Sequence, residues 1–136
     1  MCEYRFAKEK DLEELSSLYR LCFPEMVNSI RGNCCYRDNI LVATIDNVIV
    51  GMVTLDYLFD NFLNEKYVYI NNLCVHPDYQ GKGIGMSLME TAGKMAKDNS
   101  CKYIKLTSNK RRKTAHKLYN KLGFEVYDTV VFKKNI

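Results

Sequence analysis

The sequence predicts one mixed α/β domain over residues 1–136, built from seven short strands and four helices. Three observations predict it. Apolar residues recur at helical spacing in some stretches and as β-branched runs in others, so the hydrophobic period switches repeatedly along the chain. Asp46-Asn47 separates two of the β-branched runs, a strong hairpin signal. Between an apolar strand and a helical pattern, Val75-His76-Pro77-Asp78-Tyr79-Gln80-Gly81-Lys82-Gly83-Ile84-Gly85 places three glycines in five residues.

Taken in order, residues 2–6 read as a strand. Asp11 and Glu14 have capping-box spacing, and Leu12, Leu15, Tyr19 and Cys22 form an apolar stripe, so a helix begins near Asp11. Pro24 suits the first turn of a short second helix, which Gly32 ends. Ile40 to Ile45 and Val48 to Leu55 are the strands of the hairpin. Residues 67–75 read as a buried central strand stopped by Pro77. Ile84, Leu88, Ala92 and Met95 mark a third helix. Residues 103–107 form the next strand. A helix over 111–122 follows, with Ala115, Leu118, Tyr119 and Leu122 on one face and Gly123 as its stop. Phe124 to Tyr127 and Val130 to Phe132 supply two closing strands.

Composition narrows the class. Hydrophobic residues make up 47% and charged residues 26%, as in a soluble globular domain. No apolar run approaches the roughly 18 residues of a membrane span, and the first ten residues hold no apolar signal segment, so a cytoplasmic protein is expected. Cys2, Cys22, Cys34, Cys35, Cys74 and Cys101 form no CxxC pair, which points to reduced thiols and neither a disulfide framework nor a metal site. The net charge of +4 owes much to Lys110-Arg111-Arg112-Lys113, Lys117 and Lys121. These are a solvated helix face, a nucleic-acid patch, or a counter-charge for a phosphorylated ligand. Aromatic residues do not alternate with the charges as a single-strand platform requires, so nucleic acid is not expected.

The glycine segment proposes a phosphate-bearing ligand. Glycines let backbone N–H groups approach phosphate closely, and the helix behind adds the positive end of its dipole. A tight turn alone needs only one glycine. A Walker A loop needs Lys followed by Ser or Thr, whereas Lys82 precedes Gly83. A dinucleotide fingerprint needs G-x-G-x-x-G, whereas Gly81, Gly83 and Gly85 give G-x-G-x-G.

Gln80-x-x-Gly83-x-Gly85, after a strand and opening a helix, resembles the acetyl-coenzyme A loop of the GNAT superfamily of N-acetyltransferases, Q/R-x-x-G-x-G/A. Asn109, Ala115, Tyr119 and Gly123-Phe124 resemble that family's later motif. The likeness is strong over about 66–127 and elsewhere lies in element order. It implies a GNAT-like domain: a mixed, mostly antiparallel, twisted sheet of about seven strands flanked by about four helices. It implies acetyl-coenzyme A as cosubstrate with no metal, and a small-molecule or peptide amine as acceptor. By the same likeness Gln80, Gly81, Lys82, Gly83, Ile84 and Gly85 hold the diphosphate, and Leu73, Cys74 and Val75 pair with the peptide-like pantetheine arm. Asn109, Ala115 and Tyr119 complete the cofactor side. A homodimer is a further expectation.

Acetyl transfer needs a neutral nucleophile, oxyanion donors and a proton for the departing thiolate. Tyr119 is the candidate acid, since a phenol of pKa about 10 is protonated at neutral pH; on spacing alone it is equally a core residue. Asn109 bonds the pantetheine arm, caps the following helix, or does both. Many relatives carry a glutamate base where this chain has Asn71, which cannot accept a proton. Asp56, Asp60, Glu65 and His76 are weak stand-ins, and no base is assigned. Cys74 in an apolar strand reads as a small hydrophobe, which favours direct attack by the amine over an acyl-cysteine. The alternative function is an acyl-coenzyme A binding module with little catalysis. The acceptor is unread; in the family it is shaped by segments matching 22–38 and 56–66.

Overall fold

Asp46 (φ 50°) and Asn47 (φ 63°) both adopt left-handed backbone, the geometry of a two-residue hairpin turn. They join β2 (Ile40–Ile45) to β3 (Val48–Asp60) in a computed structural model that describes residues 1–29 and 39–136. The other elements are β1 (Cys2–Phe6), α1 (Leu12–Cys22), β4 (Glu65–Val75), α2 (Ile84–Asp98), β5 (Ile104–Leu106) and α3 (Lys113–Lys121), with short 3-10 turns between several of them. The described strands form one sheet in the order β1-β2-β3-β4-β5. It is antiparallel except for the parallel β4–β5 pair.

Alternation along the strands sets the layers. Leu41 and Ala43 of β2 with Val53 and Leu55 of β3 face Ile84, Leu88 and Ala92 of α2. Ile40, Val42, Ile49 and Met52 face Leu15 and Leu18 of α1 on the other side. Each Leu or Val fully buried this way contributes about 1.5–3 kcal/mol relative to exposure. The sheet is therefore held between α1 and α2, with Leu118, Tyr119 and Leu122 at the edge of the larger cluster. No described helix is long and apolar enough to cross a membrane.

Several sequence expectations are corrected. Five strands form among the described residues, against seven expected. The segments 124–127 and 130–132 run without a ladder, and Val126, Val130 and Phe132 are 93%, 75% and 92% exposed. Their β-branched and aromatic residues favour strands, but a strand exists only where an edge pairs with it. Three α-helices form among the described residues against four expected, because the segment after Pro24 closes as a 3-10 turn (Pro24–Ser29); its expected stop, Gly32, lies outside the described residues. β3 and β4 extend beyond expectation and project as a hairpin, since Asp60 Oδ1 accepts from the N–H groups of Phe62 and Leu63 and turns the chain. The C-terminal stop of α3 is as expected, with Gly123 at φ 87°.

The Asp11–Glu14 capping box is also replaced. Asp11 accepts two bonds from the Arg5 guanidinium (2.7 and 3.1 Å) and one from Lys8 N (2.7 Å), while Glu14 accepts from Ile49 N at 2.7 Å. These contacts tie both β1 and the start of β3 to the beginning of α1. The Arg5 hydrogen bonds hold the Asp11 carboxyl below its ordinary pKa. A depressed folded pKa stabilises the fold above the unfolded value of about 3.9, and that contribution is lost as pH falls through the folded pKa. Asp11→Asn is expected to lower stability by about 1.5–3 kcal/mol at pH 7. In denaturant titrations the two proteins should converge as pH drops below about 4.

Candidate active site

A bulge in β4 opens the site. β4 pairs with β5 only through Val68, Tyr69 and Ile70. Beyond them Asn71 pairs with Thr54 and Cys74 with Met52, so Asn72 and Leu73 together oppose the single residue Val53. Asn72 takes left-handed backbone (φ 56°), as such a bulge requires. The Tyr19 hydroxyl donates to Asn72 Oδ1 at 2.7 Å, which clamps the bulge to α1. The bent strand leaves β5, and the cleft between them is lined by Phe23, Ile70, Asn71, Asn72, Leu73, Leu106, Thr107, Ser108, Asn109, Arg112 and Tyr119. Over residues 71–75 β4 is paired on its β3 side, and its other edge faces this opening.

At the far end of β4 stands the glycine loop. Gly81 (φ 78°) and Gly83 (φ 80°) are left-handed, and a Cβ on either would meet nothing within 4 Å. The loop is thus exposed, with open space beside both glycines. Ser87 N donates to Gly83 O, closing the first turn of α2. Helix geometry leaves the N–H groups of Gly83, Ile84, Gly85 and Met86 without intrahelical acceptors. A Cβ on Gly85 would touch Leu118 of α3 at 3.6 Å and Val75 at 3.8 Å, so the loop packs beside the helix that carries Tyr119. Gln80, though exposed, folds back on the strand: its Nε2 donates to Val75 O at 3.0 Å. Lys82 lies over the Tyr79 ring at 5.2 Å.

Of the residues expected from sequence, the fold brings Leu73, Asn109 and Tyr119 together in the cleft. Ala115 is half-buried one turn before Tyr119 and does not line it. Asn109 caps the approach to α3, accepting from Arg111 N at 2.9 Å through its side chain, while it also faces the cleft. The Tyr119 ring packs on Phe124 at 5.8 Å. Burial raises the Tyr119 pKa above its ordinary value, and the nearby Arg112 guanidinium partly opposes this. Cys74 is buried against the Cys22 thiol, and contact with that thiol together with burial pushes it far above an ordinary thiol, so it is held protonated. Cys22 Sγ donates to Val75 O at 3.4 Å.

Asn71 donates its Nδ2 to Asp56 Oδ2 at 3.1 Å, and Asn39 donates to Asp56 Oδ1 at 2.6 Å. Asp56 is therefore a strand residue held by two amides rather than a loop charge. Asp60 serves the hairpin turn, and Glu65 pairs with it across the hairpin base. His76 accepts from Asp78 N through Nδ1 at 3.1 Å, a local turn contact.

Sequence reading missed Phe23, Asn72, Ser108 and the individual place of Arg112. The Arg112 guanidinium lies over the Phe23 ring at 5.3 Å, and His116 Nε2 meets Ser108 Oγ at 3.1 Å. Only the adjacent asparagines at 71–72, poor strand formers inside an apolar run, carried a signal of the bulge. Among the described residues no group of three or more His, Cys, Asp or Glu is placed to hold a metal ion.

Residues 36–126 match the acetyltransferase (GNAT) domain family. The chain belongs to that family. It is 30% identical over 94 residues to an uncharacterized N-acetyltransferase of Methanocaldococcus jannaschii, covering 68% of this chain and 42% of that relative, so it spans less than half the relative's length. It is 28% identical over 142 residues to an acetyltransferase of Yersinia pestis, covering 98% and 95% of the two chains. An aminoglycoside acetyltransferase from an uncultured soil metagenomic sample shares the fold, with a TM-score of 0.81 at 17% identity over 100% of this chain and 99% of that one.

If residues 80–85 hold the diphosphate as the sequence resemblance implies, Gly83→Val should strongly weaken acetyl-coenzyme A binding by two routes, placing a branched side chain where the phosphates approach and straining a left-handed position. Calorimetry on the folded variant checks this; unchanged affinity would place the diphosphate elsewhere.

Proposed function

We propose that this protein is an N-acetyltransferase that moves the acetyl group of acetyl-coenzyme A to a primary amine by direct attack. The observation that carries the reading is the conjunction of a β4 edge without a β5 partner beyond Ile70, an open glycine turn at its end and Tyr119 lining the same cleft. When bound, the cosubstrate supplies an activated thioester.

The donor set suits that group. The free N–H groups at the start of α2 suit a diphosphate, which they bind with the help of the helix dipole. Lys82 adds a cation beside the loop. The backbone of Leu73, Cys74 and Val75 runs beside the opening as a strand-like partner for an amide-bearing arm, with Val75 O already accepting from Gln80 and Cys22, and Asn109 holds that arm near β5. Gln80 shapes the loop by tying it to Val75. Ala115, a small residue, leaves room on α3 before Tyr119.

Tyr119 Oη gives its proton to the departing sulfur. Transfer from a phenol of ordinary pKa about 10 to a thiolate whose conjugate acid lies near 8.5 is uphill by about 2 kcal/mol. Burial of Tyr119 adds to that, and Arg112 offsets only part of the burial effect by favouring the phenolate that forms. A protonated, buried Cys74 is a poor nucleophile, which supports direct attack over an acyl-cysteine. Arg112, lining the cleft, supports the counter-charge reading of Lys110–Lys113 over nucleic-acid binding. The exposed apolar residues of segment 124–132 support a homodimer.

The second reading, an acyl-coenzyme A binding module, draws on Asn71 at the place of a base. Thiol release from acetyl-coenzyme A against a panel of amines separates the two: turnover with any amine is expected, and binding without turnover favours the module. Tyr119→Phe keeps the ring packing and removes the proton. Its kcat should fall about 10²–10⁴-fold with acetyl-coenzyme A affinity nearly unchanged. Near-complete activity with chemistry rate-limiting would make Tyr119 a core residue.

A further inference from the structure

The open edge of the sheet and the unpaired end of the chain complement each other, which rests on the homodimer reading above and not on the acetyl transfer. Among the described residues β5 pairs only with β4. Tyr103 O accepts from Val68 N at 3.2 Å, so in this parallel ladder the backbone groups of residues 103 and 105 turn to β4. The N–H and C=O groups of Ile104 and Leu106 then point to the far edge. An edge in that state is a template for a further strand.

The segment after α3 is the strand such an edge lacks. Phe124 is fixed: its N–H donates to Tyr119 O at 3.0 Å, and its side chain packs on the same cluster as Ile104 and Leu106. Edge and segment therefore lie at one end of the sheet. Beyond Phe124 no ladder forms, and Tyr127 and Val131 are 76% and 71% exposed beside the still more open Val126, Val130 and Phe132. Val130 and Phe132 are two residues apart, so an extended strand puts them on one face, as β5 does with Ile104 and Leu106. The tether to α3 gives the segment a high effective concentration at its own edge, yet that edge stays unpaired, so the occupant comes from another molecule. A molecule offering both an edge and a strand is matched by a second copy across a two-fold axis, with each edge taking the other's segment. The area suits this occupant. Tyr127 and Phe132 alone bring about 300–500 Å² of the about 800 Å² that each partner of a stable complex buries, and the three valines and the covered edge add to it.

We propose that segment 126–132 of one copy adds as a strand to the β5 edge of a second copy, reciprocally, so that the dimer exchanges the strands each chain leaves unpaired.

The test is sedimentation velocity of the full chain over a wide dilution series, with hydrogen exchange at the Ile104 and Leu106 amides read at both ends of the series. A dimer is expected, with both amides protected at high concentration and unprotected once it dissociates. Val130→Asp with Phe132→Asp should weaken dimerisation by about 100-fold or more, whereas Val130→Ile with Phe132→Tyr should retain it. Both positions are exposed in the single chain, so the fold should survive the substitutions, checked by circular dichroism and by exchange in α2. Protection that persists on dilution to the monomer would overturn the proposal, because each chain would then close its own edge. A dimer that leaves the two amides unprotected, or that ignores the aspartate pair, would overturn it by moving the interface elsewhere while the homodimer reading stands. A monomer at every concentration, with both amides open, would overturn the exchange and the homodimer together.

Discussion

Everything distinctive about this site depends on β4 leaving β5 after Ile70. Two strands in register would pair to their ends and close the cleft. The extra residue at Asn72–Leu73 bends β4, and left-handed backbone at Asn72 makes that bend. The Tyr19 hydroxyl holds it from the other face of the sheet. One bond across 53 positions of sequence thus joins the packing of α1 to the geometry of the cleft.

The bulge also explains why the two ends of the site do different work. Toward the glycine loop, β4 remains paired to β3 and rigid, so the loop stands at a fixed place relative to Val75 and Leu118. Toward β5, the same strand offers unpaired backbone to the opening. The proposed binding by backbone and the proposed proton chemistry from α3 would both draw on one strand that changes neighbours midway. Arg112 lies near Tyr119 and Cys22: it offsets part of the rise that burial gives the Tyr119 pKa, and it adds to the lowering that contact with Cys74 gives Cys22.

The polar network behind the cleft shows how a charge can be present and yet not act as a charge. Asp56 sits one strand away from Asn71, but two short amide bonds occupy both its oxygens. A carboxylate used this way orients its donors. Among the described residues the cleft therefore presents amides and a guanidinium rather than carboxylates.

Much was legible in the sequence. The Asp46-Asn47 turn, the stripes of α1 and α2, the Gly123 stop and the glycine loop are local features, decided by backbone preference and by the spacing of apolar residues within a few turns. The strand over 67–75 and the helix carrying Tyr119 were readable for the same reason. The rest depends on residues that meet only after folding. Asp11 looked like a helix cap until Arg5 bonded it, and Asp56 looked like a surface charge until β3 and β4 placed it beside Asn71. Segments 124–127 and 130–132 carry strand-forming residues, yet a strand is a relation between two edges and cannot be decided by one of them. The bulge is the clearest case: its register exists only between β3 and β4, so tertiary pairing alone decided where the cleft opens.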